Sequence, residues 1–153
     1  MTTQPAHRNT QPAHRNTQPA KSIRELAVEE CLDLLASSTI GRVAWCGRNG
    51  PEVVPMTIGM HEGSVLFRTA AYGALARSVR GATVAIEVDE IDHVTRTGWS
   101  VVAVGPAETV AEPEEIAELR KSGGLEPWAP GVRTLFVRME PRRLTGRRIE
   151  ARE

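Results

Sequence analysis

Residues 40–69 read IGRVAWCGRNGPEVVPMTIGMHEGSVLFRT, and the expected architecture follows from their pattern. It holds three short runs rich in β-branched and aromatic residues, 40–46, 53–60 and 64–69. Turn residues separate them, as between strands of a meander. Gly47-Arg48-Asn49-Gly50-Pro51 divides the first two, with Asn-Gly as its strongest signal. Glu62-Gly63 divides the second from the third. Pro55 has no N–H to donate, so its strand is expected to run along an edge or to lose pairing there.

The same rhythm continues downstream. Residues 72–80 (YGALARSVR) predict a short helix ended by Gly81. Residues 82–88 (ATVAIEV) form a nearly continuous apolar run, expected to be a strand buried on both faces. Residues 89–97 read as a polar loop. Residues 99–110 (WSVVAVGPAETV) read as a long strand with a bulge or bend at Gly105-Pro106. Pro113 opens a charged helix over 113–121, a favoured first helical position, and Gly123-Gly124 ends it. Residues 134–140 and 143–149 are two last strands. Upstream, Ser22 with Glu25 fits a capping box. Leu26, Ala27, Cys31, Leu34 and Leu35 then space an apolar stripe for a helix over 25–37.

The sum is about seven strands and three helices without βαβ alternation. The expected fold class is mainly β (α+β), a split barrel of six to seven antiparallel strands with helices at its margins. So small a barrel fills its interior with side chains. A ligand of any size must then bind outside it, where two copies meet.

Composition narrows the function. The chain has 153 residues, with 19 Lys+Arg against 19 Asp+Glu. That balance argues against a nucleic-acid binder working by bulk charge. No apolar run is long enough to span a membrane, and no apolar stretch follows the N-terminal basic residues as in a secretory signal. Cys31 and Cys46 are too few for a disulfide scaffold and are expected to be unpaired thiols in a cytoplasmic protein. The unit TQPAHRN fills residues 3–9 and again 10–16. Pro5, Pro12 and Pro19 stop helices, and no bulky apolar residue offsets the cost of ordering. Residues 1–20 are therefore expected to be a disordered tail, with His7 and His14 solvated, ahead of one domain over 21–153.

The order and spacing of these segments resembles the pyridoxamine 5'-phosphate oxidase-like, flavin-binding split-barrel family, over roughly residues 25–150. The carriers are ELAVEECLDLLASSTIGRVA, GPEVVPMTIGM, SVLFRT, ALARSVRG, VAIEVDEID and GWSVVAVGPAE. LEPWAP and TGRRI look like actinobacterial members of the group. The resemblance implies a six-stranded barrel, an intertwined homodimer and two equivalent clefts at its interface. It implies FMN as cofactor, with a deazaflavin coenzyme as the alternative and haem in some branches.

A flavin mononucleotide needs cations for its phosphate, backbone amides for its ring edge and flat apolar surface for its ring. Arg68 and Thr69 end a strand just before a helix start, a reasonable phosphate site. In the family this strand end lies beside the ribityl phosphate. Arg77 and Ser78 follow on that helix and could add contacts. Pro55, Met56, Thr57 and Ile58 match the strand along the flavin ring. Trp99 and Ser100 match a strand whose polar side chain reaches the flavin, often from the other subunit. The chain departs from the family where basic residues grip the phosphate: Gly73, Ala74 and Leu75 stand there. The charge must come from Arg68, Arg77 or Arg80, or FMN binds weakly, or another cofactor is used.

Other residues carry plainer expectations. Trp128 is expected to pack its proline-flanked loop, with a lid over the cofactor as the alternative. His61 and His93 sit in a turn and a polar loop and are not expected to be catalytic bases. Asp89, Glu90 and Asp92 read as a solvated acidic loop rather than a metal site. No P-loop, GxSxG elbow or HExxH helix occurs. The expected function is a flavin- or deazaflavin-dependent oxidoreductase acting on a small molecule, with no catalytic acid or base of its own. The alternatives are a non-catalytic flavin- or deazaflavin-binding dimer and an apo structural or regulatory protein.

Overall fold

The computed structural model describes residues 20–123 and 125–151. The repeat segment, His7 and His14 lie outside the described residues. The chain forms β1 (Lys21–Glu25), α1 (Val28–Ser37), β2 (Ile40–Gly47), β3 (Gly50–His61), β4 (Ser64–Thr69) and α2 (Ala74–Ser78). It continues through β5 (Thr83–Asp92), β6 (Thr97–Thr109), α3 (Pro113–Ser122), β7 (Leu135–Met139) and β8 (Arg143–Ala151).

All strand pairing is antiparallel, in the order β1-β8-β6-β5-β2-β3-β4-β7. A further pairing of β6 with β7 closes six of these strands into a barrel, and β8 and β1 extend the sheet beyond it. One long strand serves both sheets. Gly98–Val104 of β6 pair with β8, whereas Ala107–Thr109 pair with β7. The change of partner falls at Gly105-Pro106, while the pairing with β5 runs through both residues in one register. Glycine is required there, because a Cβ at 105 would overlap the carbonyl of Glu140.

The interior is packed by period-two alternation. Val84, Ile86 and Val88 of β5 meet Val43 of β2, Val101 of β6 and Val137 and Met139 of β7, all at most 1% exposed. Each such side chain contributes about 1.5–3 kcal/mol when removed from water. A smaller cluster of Leu66, Val110, Leu119, Leu125 and Phe136 holds α3 against the outer face of β4 and β7. Cys31 is buried, Cys46 is exposed, and neither forms a disulfide. Among the described residues, no helix is long and apolar enough to cross a membrane.

Four local expectations are corrected. Ser22 does not cap a helix. It lies in β1 opposite Glu150, and a distant strand overrides the local capping pattern. The helix starts at Val28 instead, where Glu30 reaches back to accept from the Ala27 N–H at 3.0 Å. The run 82–88 is buried on one face only, with Ala85 and Glu87 half-buried. Residues 89–92 extend β5 rather than opening the loop, since Asp89–Asp92 pair with Thr97–Ser100. The helix expected over 72–80 is shorter, Ala74–Ser78.

Candidate functional site

Beside the barrel, where β3 runs out past the end of β4, a cleft of about 620 Å³ opens. Its long wall is the β2–β3 ribbon, with Ile40 and Trp45 on one strand and Glu52, Val54, Pro55, Met56 and Thr57 on the other. β4 pairs with β3 only from Ile58 onward. The backbone edge of β3 at Pro55–Thr57 is therefore free of β4, as Pro55 foretold. Arg68, Thr69 and the turn through Ala70 to Leu75 close one end. The loop carrying Pro127, Trp128, Ala129 and Arg133 completes the rim.

Five of the expected residues meet here: Pro55, Met56, Thr57, Arg68 and Thr69. Ile58 lies beneath the cleft in the barrel core, 2% exposed. Arg77 and Ser78 are not among the lining residues. Arg77 donates to the Tyr72 carbonyl at 2.6 Å, and Ser78 to the Ala74 carbonyl at 3.0 Å. Trp99 and Ser100 line a different groove of about 460 Å³, with Ile23, Ile91, His93, Arg147 and Ile149.

Arg68 is already engaged. Its Nε donates to the Arg133 carbonyl at 2.9 Å, and its Nη1 lies 3.2 Å from a Glu126 carboxylate oxygen. The guanidinium stacks over Phe136, 5.1 Å from the ring centroid. Its side chain is only 16% exposed, so it is not the open strand-end cation expected from sequence. Arg133 in turn donates to the carbonyls of Ala129 and Pro130, tightening the loop. Trp128 does not pack that loop, as sequence led us to expect. It is 78% exposed on the rim.

Three of the four acidic residues of β5, Glu87, Asp89 and Asp92, have structural partners. Glu87 and Asp89 both take Arg42 Nη1, at 2.8 and 2.7 Å. Asp92 accepts from Thr95 and then from the Val94 N–H, which lowers its pKa. Among the described residues no three His, Cys, Asp or Glu side chains converge as metal ligands would.

Three cleft residues with polar side-chain groups escaped the sequence reading: Trp45, Glu52 and Arg133. No local pattern marks them. Arg133 arrives because the loop before β7 folds back over β4. Trp45 and Glu52 are opposite one another in the β2–β3 pairing, so both side chains leave the same face. Trp45 is 5% exposed, and its Nε1–H has no protein acceptor.

A family pattern described as pyridoxamine 5'-phosphate oxidase matches residues 27–148. The chain belongs to this family. An uncharacterized relative from Mycobacterium tuberculosis is 35% identical over 136 residues, 86% of this chain and 88% of its own. The family's structures agree with the barrel. The FAD binding protein of Mycobacterium smegmatis is 30% identical, with a TM-score of 0.65 over 83% of this chain and 98% of that one. A candidate pyridoxamine 5'-phosphate oxidase from Corynebacterium glutamicum is 29% identical, with a TM-score of 0.70 over 86% and 96%. The cleft fits a flavin by its donor set: a guanidinium and a hydroxyl at one end, a free strand edge along one wall, and flat apolar surface from Pro55, Met56 and Trp128.

Proposed function

We propose that this chain binds a flavin in the cleft and works as a flavin-dependent oxidoreductase on a small molecule. The observation that carries the reading is the meeting of Arg68 and Thr69 with the unpaired β3 edge at Pro55–Thr57 in one cleft. When bound, the flavin supplies the electron-transfer chemistry. The chain's own residues bind and orient it. Arg68 and Thr69 hold the phosphate, the β3 backbone faces the ring edge, and Trp128 covers the ring from the rim.

FMN is the cofactor of first choice. A dinucleotide is a natural comparison, because the M. smegmatis relative is an FAD binding protein. The deazaflavin alternative draws on Gly73, Ala74 and Leu75, which offer backbone and no cation where α2 begins.

The reading includes a homodimer. Trp99 and Ser100 line a groove of their own, beside the exposed Ile23, Ile91 and Ile149, at 72%, 56% and 40% exposure. A second copy seated on that apolar face would remove it from water and bring Trp99 and Ser100 to its partner's cleft. Denaturing the purified protein and weighing the released small molecules tests the cofactor. FMN, FAD or a deazaflavin in proportion to the chain supports the reading. A colourless protein that releases none and takes up none would leave the apo alternative.

A further inference from the structure

Arg68 ties down both ends of one loop. Its Nε donates to the Arg133 carbonyl at 2.9 Å, and its Nη1 donates to the Glu126 carboxylate at 3.2 Å. Between these two feet the loop carries Trp128 at the rim of the cleft. The loop is unevenly secured. Leu125, just before it, is buried, and its Cδ2 lies 3.1 Å from where a Cβ at Gly59 would stand. At the other end Arg133 gathers the carbonyls of Ala129 and Pro130, at 3.0 and 2.8 Å. That leaves a strap, 126–128, whose hydrogen bond to the barrel among the described residues is the one from Arg68 to Glu126.

The guanidinium is not free to turn another edge outward. The Nε bond and the stack on Phe136, 5.1 Å to the ring centroid, fix its plane. The remaining edge is Nη1 and Nη2, the fork that an oxyanion takes with two parallel bonds. Glu126 sits on that fork. A ligand oxyanion and Glu126 therefore compete for one seat.

We propose that the Glu126 carboxylate is a built-in stand-in for the anionic group of the cleft's ligand, and that its displacement frees the 126–128 strap to close. While Glu126 holds Arg68, Trp128 stands two residues on at 78% exposure. An oxyanion on Arg68 returns Glu126 to water, where it is already 72% exposed, so little is lost with the pair. Trp128 is then free to lay its ring over an apolar occupant, a burial of about 150–250 Å². The Arg133 foot stays on Nε, so the strap moves between Leu125 and the turn that Arg133 holds. The inference rests on the cleft being the ligand site proposed above, and it adds the trigger that brings Trp128 over that site.

The experiment follows the Trp128 indole N–H of the full-length chain by NMR relaxation, the resonance being assigned by its loss in Trp128→Phe. The probe is inorganic phosphate, which carries the oxyanion and no ring, against sodium chloride at equal ionic strength. Phosphate, unlike chloride, should take the indole from an order parameter of about 0.85 to below about 0.6. Glu126→Gln should show the low value without phosphate. Its Arg68 Nε–H resonance, assigned by its loss in Arg68→Lys, should titrate with phosphate about two- to fivefold more tightly than in the wild type, the scale of an exposed ion pair. FMN should return the indole to the rigid range at a new chemical shift. Glu126 and Trp128 are both exposed, so these variants keep the fold. A Trp128 equally rigid or equally mobile in wild type and Glu126→Gln overturns the proposal. So does phosphate acting no differently from chloride, equal phosphate affinity in the two proteins, or a Trp128 still mobile with FMN bound. Flavin uptake is scored apart. A wild type that takes up no flavin but passes the phosphate arm sinks the flavin reading and leaves the Glu126 latch. A wild type that binds FMN while Trp128 stays rigid in Glu126→Gln keeps the flavin and sinks the latch.

Discussion

Arg68, which lines the cleft, is ion-paired to Glu126 of the loop before β7, Nη1 to carboxylate oxygen at 3.2 Å. The cation proposed to bind the flavin phosphate is thereby held by a carboxylate that is itself 72% exposed. An exposed partner of this kind contributes little stability, so a phosphate can displace it readily.

Arg68→Ala is expected to weaken FMN binding by about ten- to a hundredfold, the scale of a hydrogen bond to a charged group. Arg68→Lys should recover part of this, since it keeps the charge and loses the fork. Glu126→Gln should tighten binding by removing the competing carboxylate. Flavin fluorescence titration measures all three. Unchanged affinity in Arg68→Ala would move the anchor to another residue. Arg68→Ala also loses the Phe136 stack, so the melting temperature should fall, contrary to an exposed strand-end arginine.

A second prediction concerns acid. Arg24 holds the Glu30 carboxylate with two bonds, at 2.9 and 3.1 Å, and with the Ala27 N–H lowers its pKa from 4.5 to about 2. The unfolded chain therefore binds the proton first. The stabilising effect is present above pH 4.5 and is lost as pH falls towards about 2. Glu30→Gln should flatten the fall in melting temperature over that window, and added salt should shrink the difference. Parallel curves for the two proteins would show that the pair does not act on stability.

A third concerns the seam between α1 and β8. A Cβ at Gly146 would sit 2.6 Å from Cys31 Sγ and 2.9 Å from Leu26 Cδ1. Gly146→Ala should cost about 1–3 kcal/mol in urea denaturation, as overpacking does. Adding Cys31→Ala should return part of that loss, a coupling that independent sites would not show.

A fourth tests the dimer. Light scattering should give twice the 16.7 kDa chain mass, and Ile91→Glu should shift it towards the monomer while the barrel stays folded. Flavin affinity should fall with it, because Trp99 and Ser100 would no longer reach a partner. A stable monomer at micromolar concentration in the wild type would contradict the shared-site arrangement.

The strands were legible where side chains alternate against a core within one run, as in Val84, Ile86 and Val88. β1 was not, because Lys21–Glu25 becomes a strand only through β8, more than a hundred residues away, while Ser22 and Glu25 satisfy a local helix signal. The cleft was half legible. Pro55, Thr57, Arg68 and Thr69 sit on adjacent strands that short turns connect, so their meeting follows from the order of elements. The hold of Glu126 and Arg133 on Arg68 depends on a long loop returning over β4, and nothing in residues 126–133 announces where that loop lands. Trp45 reads as one more strand aromatic until burial without an acceptor sets it apart.

Calorimetric titration of FMN and FAD into the full-length chain asks whether the cleft holds a flavin. Saturable binding of one flavin per chain, weakened in Arg68→Ala, is expected. No binding of either flavin at high micromolar concentration would contradict it.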